Sequence, residues 1–298
     1  MMYKTKSEFV AIVGKPNAGK SSLLNSIIGE KVAIVSAKPQ TTRTRITGVL
    51  TKEVTQYVFI DTPGMHKPKT RLGEYMVKQV GESVADVDVA VLVVDFKGVP
   101  AQAELDLIAS FRAKKISAVL AVNKIDTLAR KEEIFPRIDV YRKLFDFACV
   151  VPISAKTGEG VDVLLRELDA FAQEGPHFFP DDAVTDQPER VIAAEIIREK
   201  LLRNLSDEVP HGTAVAIESM KERADGSIID IDAVIYCERE THKGIIIGKS
   251  GAMLKKVATE ARQDMERFFD IKVNLKTWVK VKDDWRNRDG LVRSFGYN

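Results

Sequence analysis

The chain has 298 residues, 45% of them hydrophobic, which is enough to build a packed core in each of two domains and excludes a disordered chain. A formal net charge of +2 excludes an overall basic coat, so any nucleic-acid surface must come from local clusters of Lys and Arg. The two cysteines, Cys149 and Cys237, lie far apart in apolar runs, which excludes a disulfide framework and suits reduced thiols. The start Met1-Met2-Tyr3-Lys4-Thr5-Lys6 carries no apolar leader and the longest apolar run, 89–94, is too short to span a bilayer, so the expectation is a soluble, cytoplasmic protein.

In chain order, the run Phe9-Val10-Ala11-Ile12-Val13 reads as a buried strand. Gly14-Lys15-Pro16-Asn17-Ala18-Gly19-Lys20-Ser21 follows it and matches G-x-x-x-x-G-K-[ST], and a helix opens at Ser22 and closes at Gly29. Glycines here let backbone N–H groups turn inward, and the helix N-terminus adds partial positive charge, so the loop suits polyphosphate. Lys20 is placed to reach the β- and γ-phosphates and the Ser21 hydroxyl to ligate Mg²⁺.

Further strands are expected over 56–60, 87–94, 118–122 and 149–152, with helices over 71–84, 101–113, 131–145 and 161–171. This alternation implies an α/β domain with a mostly parallel sheet covered on both faces and its ligand at the carboxyl ends of the strands. Asp61-Thr62-Pro63-Gly64 follows the first of these strands, where the aspartate can face magnesium through a water and the Gly64 N–H can meet the γ-phosphate. Asn123-Lys124-Ile125-Asp126 ends another and selects the base. Guanine presents N1–H and its exocyclic amine side by side, and the Asp126 carboxylate can accept both, whereas adenine offers an acceptor there. Asn123 would tie base to loop, the Lys124 stem would cover the ring, and Ser154-Ala155-Lys156 can give a backbone N–H to guanine O6.

Proline and acidic residues break the periodicity after Gly175. The expected division is therefore a nucleotide domain over 1–175, a linker over 176–189 and an α+β domain over 190–298. The last reads α-β-β-α-α-β: a helix over 190–205, strands over 213–219 and 228–238, a Gly-rich turn over 244–251, a helix over 252–269 and a strand over 272–281. Within it, Gly248-Lys249-Ser250-Gly251 is a G-x-x-G turn whose backbone can press against a sugar-phosphate strand while Lys249 neutralises phosphate. His242, Lys243, Gly244, Ile245, Ile246, Ile247 and Lys255 flank it, the isoleucines as candidates for an apolar groove floor and His242 as either a loop histidine or a base reader. Trp278 and Trp285 are open to packing or to base stacking.

The order of G-x-x-x-x-G-K-S, D-x-x-G, N-K-x-D and S-A-K resembles the translation-factor-related GTPases. Joined to the G-x-x-G half, which resembles the bacterial type of KH domain (type II), the whole chain is similar to the Era family of bacterial GTPases. Pro39-Gln40-Thr41-Thr42-Arg43 and His242-Lys243-Gly244 strengthen that match.

The resemblance implies GTP and GDP as ligands and Mg²⁺-dependent hydrolysis by Lys20, Thr42, Asp61 and Gly64. Thr42 in the first switch would be a second protein ligand of Mg²⁺, with Thr41 as the alternative. It also implies binding to the 3′ end of 16S ribosomal RNA, a role in assembling the 30S subunit and peripheral contact with the membrane; the expected state is a monomer. The glutamine that many relatives carry after D-x-x-G is Met65 here, which cannot orient water, so intrinsic hydrolysis is expected to be slow. In related enzymes an asparagine at the position of Asn17 helps hold a monovalent cation, so K⁺ is a second candidate cofactor. Two other functions fit the same residues: an RNA-binding scaffold with incidental GTP hydrolysis, and a signalling GTPase that recruits a protein partner through its second half.

Overall fold

The computed structural model describes residues 5–65 and 67–297, so Met1–Lys4, the greater part of the start read above, lie outside it. The chain forms two compact units. The first takes in Met1–Val35, Thr42–Pro68 and Gly73–Asp186, and the second Ser36–Thr41, Lys69–Leu72 and Gln187–Asn298. Among the described residues no helix is long and apolar enough to cross a membrane.

The first unit runs β1 (Lys6–Val13), α1 (Lys20–Ile28), β2 (Ile46–Lys52), β3 (Thr55–Asp61), α2 (Arg71–Ser83), β4 (Val89–Asp95), α3 (Gln102–Lys114), β5 (Ser117–Asn123), α4 (Phe135–Leu144), β6 (Cys149–Pro152), α5 (Val161–Leu168) and β7 (Gln173–Glu174). The sheet order is β2-β3-β1-β4-β5-β6; β1, β3, β4, β5 and β6 are parallel, while β2 is antiparallel to β3 and β7 to β1. Apolar side chains fill both faces of β1, β4 and β5, as a parallel sheet sandwiched by helices requires. The edge strand β2 escaped the periodicity reading because Gly48 interrupts its apolar pattern.

The segment read as a linker is fastened to this unit as far as Thr185. Ser7 Oγ donates to the Pro176 carbonyl at 2.6 Å, the Gln56 carboxamide oxygen accepts the Phe178 and Phe179 N–H groups, and Thr185 Oγ1 donates to the Thr47 carbonyl at 2.6 Å. The Val49 N–H donates to Val184 beyond the sheet edge. An edge strand's unpaired groups explain why a polar, proline-rich stretch becomes ordered there.

The second unit runs α6 (Glu189–Asn204), β8 (Ala214–Glu222), β9 (Ile228–Cys237), α7 (Glu240–Ile247), α8 (Ala252–Phe269), β10 (Lys272–Val281) and α9 (Asp289–Ser294). Its sheet is ordered β10-β9-β8, with β8 antiparallel and β10 parallel to β9. Ile196, Ile197 and Leu201 of α6, Ile231 and Ile235 of β9, and Val257, Ala261 and Met265 of α8 share one core. Trp285 is fully buried, its indole N–H on the Gly212 carbonyl at 2.9 Å, so of the two tryptophans this one packs. Residues 36–41 group with this unit, in which Arg198 donates to the carbonyls of Gln40 and Thr41.

Candidate nucleotide site and nucleic-acid turn

The loop between β1 and α1 lies at the carboxyl end of the sheet. Gly19 there adopts φ +99°, and a Cβ on it would fall 2.2 Å from the Asn123 amide nitrogen, so only glycine lets the loop close against β5. Lys20 is buried, and its ammonium donates to the carbonyls of Gly14 and Lys15 at 3.2 and 3.1 Å, which curls the loop around it. Burial pushes the Lys20 ammonium down to about 8, with the Asp61 charge opposing.

Ser21, Thr42 and Asp61 meet. The Ser21 hydroxyl donates to Asp61 Oδ2 at 2.6 Å and lies 2.8 Å from the Thr42 hydroxyl, which itself stands 3.4 Å from the same carboxylate oxygen. Thr41, the alternative, turns its hydroxyl to the Lys38 carbonyl instead. Asp61 is wholly buried, and among the described residues its Oδ1 has no hydrogen-bond partner. Burial raises its pKa to about 6, against the Lys20 charge, both hydroxyls and the Thr62 N–H. Two hydroxyls and a carboxylate with an unmatched buried oxygen form the hard, all-oxygen donor set that suits Mg²⁺. Met65 turns into the apolar cluster beside β1 and β4, and Asn17 stands exposed in the loop at φ +62°.

Asn123 braces the base side. Its amide donates to the Ala18 carbonyl at 2.8 Å, and its oxygen accepts the N–H groups of Lys124 at 2.8 Å and Ala155 at 3.0 Å. The Ala155 N–H thus ties the Ser154-Ala155-Lys156 loop to Asn123 in this structure. The Ser154 hydroxyl donates to Asp126 Oδ1 at 2.8 Å and sets the carboxylate's orientation.

Around the G-x-x-G turn the structure corrects the sequence reading. Glu240–Ile247 is helix α7, so Gly244 lies inside a helix and the turn begins at Gly248. Ile246 is buried in the core of the second unit and cannot form a groove floor, whereas Ile245 is exposed. Helical periodicity explains the split, because consecutive isoleucines on a helix point about 100° apart. Ser250 at φ 50° and Gly251 at φ +78° complete the turn, with Lys249, Ser250 and Lys255 exposed and His242 and Lys243 half-buried.

Residues 9–124 match the family model described as 50S ribosome-binding GTPase, and residues 208–286 match the KH domain. GTPase Era of Ruminiclostridium cellulolyticum is 51% identical over 98% of this chain and 97% of its own, and that of Clostridioides difficile 51% identical over 98% and 99%. The chain belongs to the Era family of GTPases. Two solved Era structures superpose on it with TM-scores of 0.94. One, a variant from Aquifex aeolicus bound to GDP·AlF4⁻, is 39% identical and covers 98% of this chain and 99% of that one. The other is an Era in complex with MgGDPNP and nucleotides 1506–1542 of 16S ribosomal RNA, 38% identical over 98% and 99%.

This Era-family chain also carries supports that its motifs do not reveal. Lys124 pairs with Asp95 at 2.8 Å, and although burial opposes it, that ammonium and the Lys97 N–H hold the Asp95 carboxyl below its usual range. Asp95 lies opposite Asn123 in the β4–β5 register, so its place at a parallel strand end was the available signal. Lys15 of the phosphate loop lies 3.6 Å from Glu104 of α3, which is wholly buried and accepts from the Tyr141 hydroxyl at 2.8 Å; Arg137 donates to Tyr141 at 2.7 Å. No motif marks that brace, because its members lie on three separate elements.

Proposed function

We propose that this GTPase is a guanine-nucleotide-controlled RNA-binding protein that holds the 3′ region of 16S ribosomal RNA and assists assembly of the 30S subunit. The meeting of Ser21, Thr42 and Asp61 carries the reading, because it joins the phosphate loop to the segment that would sense the γ-phosphate. The relative bound to MgGDPNP and 16S ribosomal RNA, alike over nearly the whole chain, supports extending both ligands to this protein.

On this reading the chain's own groups do the following. Lys20 and the inward N–H groups of the loop bind the phosphates. Ser21 and Thr42 would hold Mg²⁺, with Asp61 facing it through a water, and the metal would supply charge neutralisation at the phosphates. The Gly64 N–H meets the γ-phosphate. Asp126, oriented by Ser154, accepts from guanine, while Asn123 and the Lys124 stem fix the plane of the base. With Met65 half-buried against the apolar cluster and no glutamine there, hydrolysis is slow. Asn17 would hold K⁺, so hydrolysis should run faster in potassium than in sodium and Asn17→Ala should remove the difference. The turn at Gly248–Gly251, with Lys249 and Lys255, holds the RNA backbone.

Replacing Lys20 by Ala while leaving the second half intact tests this against the scaffold reading. Cells carrying only that variant should accumulate unfinished small subunits, whereas a scaffold would retain assembly.

A further inference from the structure

The outward face of β10 has a composition that packing does not account for. Along this edge strand Val273, Leu275, Val279 and Val281 turn toward the core shared with α6 and α8, so the even positions look away from the helices. Those positions include Lys272, Lys276, Trp278 and Lys280, all exposed, with Trp278 at 45%. A large indole left that open on a sheet face, between lysines spaced about 7 Å to either side, is unlike the buried Trp285 in the same unit.

The acids on this face are largely engaged. Arg223 and Asn274 hold Asp230, at 2.8 and 2.6 Å, and Lys280 meets Glu218 in an exposed pair at 3.2 Å that costs little to give up. Only Asp232 sits directly beside Lys276 in the register, leaving the strand's own charge in excess. Alternating cations with an aromatic platform is the chemistry of single-stranded nucleic-acid binding, in which phosphates track the charge and a base stacks on the ring. Ile246 of α7 and Val257, Ala261 and Met265 of α8, the two helices that flank the G-x-x-G turn, pack on the opposite, inward side of this sheet, so the outward face is distinct from the one they cover.

We propose that the outward face of β10, with Trp278 as a stacking platform between Lys276 and Lys280, is a second contact surface for single-stranded RNA. It rests on the RNA-binding reading above and extends the footprint beyond the turn.

The test uses the full chain and an RNA spanning nucleotides 1506–1542 of 16S ribosomal RNA, the segment bound in the relative. Trp285 is buried, so quenching of indole emission by RNA reports Trp278. The wild type should be quenched. Trp278→Ala should weaken binding about tenfold, and Lys276→Ala with Lys280→Ala should weaken it as much and lower the salt slope by about two. All three side chains are exposed, so folding and RNA-free GTP hydrolysis should be unchanged, and Trp278→Phe should restore most of the affinity.

Wild-type affinity and salt slope in these variants, alongside weakened binding in Lys249→Glu, would overturn the second surface and leave the RNA reading standing. Absence of RNA binding by the wild type would overturn both. Quenching by a protein partner with none by RNA would assign the face to a different class of ligand and overturn the proposal.

Discussion

The hydroxyls of Thr42 and Ser21 lie 2.8 Å apart, and both reach one oxygen of Asp61. Ser21 lies in the first turn of α1, Thr42 in the loop that follows that helix and Asp61 at the end of β3, so this convergence is a product of the fold. As the proposed magnesium site it depends on an ionised Asp61, whose pKa burial raises to about 6. Above that value the carboxylate is charged; below it a proton competes with the metal. Mg²⁺-dependent binding of a GTP analogue should therefore be flat from pH 8 to about 6.5 and fall by up to tenfold per unit below 6. Titration calorimetry at graded pH checks this, and Asp61→Asn should abolish the magnesium dependence at every pH.

Asn123 joins the phosphate loop, through Ala18, to the last base-side loop, through Ala155. Asn123→Ala would leave a buried carbonyl and a buried N–H unmatched. That costs about 2–4 kcal/mol, a loss of roughly 30-fold to 1000-fold in nucleotide affinity if it falls on the bound state. GDP titrations on the variant measure it.

Asp126 is set by Ser154 to present two acceptors. Asparagine presents one acceptor and one donor, which matches the N1–H and O2 of xanthine and opposes the amine of guanine. Asp126→Asn should lower GTP affinity more than a hundredfold and raise that for xanthosine triphosphate. Competition between the two nucleotides reads the ratio.

Glu8 of β1 is wholly buried with neither carboxylate oxygen hydrogen-bonded among the described residues, and it lies near Asp88 and Asp169. Burial, then those two charges, push its pKa up to about 9. The folded chain therefore keeps the proton that the unfolded chain releases above about 4.5. Stability from this group is intact below 4.5 and declines as pH rises toward 9, by about 3 kcal/mol at pH 7. Glu8→Gln should remove that slope and stabilise the protein at neutral pH, as urea unfolding at pH 5 and pH 8 would show.

The parallel core was legible in the sequence because its strands are continuous apolar runs between helical patterns. The strand over 272–281 was found to the residue by its strict alternation. What escaped has physical causes. Gly48 breaks the pattern of β2, and the two residues of β7 carry no period at all. The placement of Lys20, Asp61, Asn123 and Asp126 was legible because each sits in a motif that follows or ends a strand. Asp95 and Glu104 hold Lys124 and Lys15 of those motifs from other elements, with Arg137 beside Glu104, and only three-dimensional register brings them near. The isoleucines at 245–247 misled because a helix sends neighbours in different directions, and Ile246 alone enters the core.

The central claim is that nucleotide state controls RNA affinity. It is tested most directly by titrating the 16S fragment against the Mg²⁺-loaded wild type in GDP and in a non-hydrolysable GTP analogue. A coupling free energy of about 1.4 kcal/mol or more, a tenfold difference in Kd between the two states, is the predicted result. Equal affinities would contradict it.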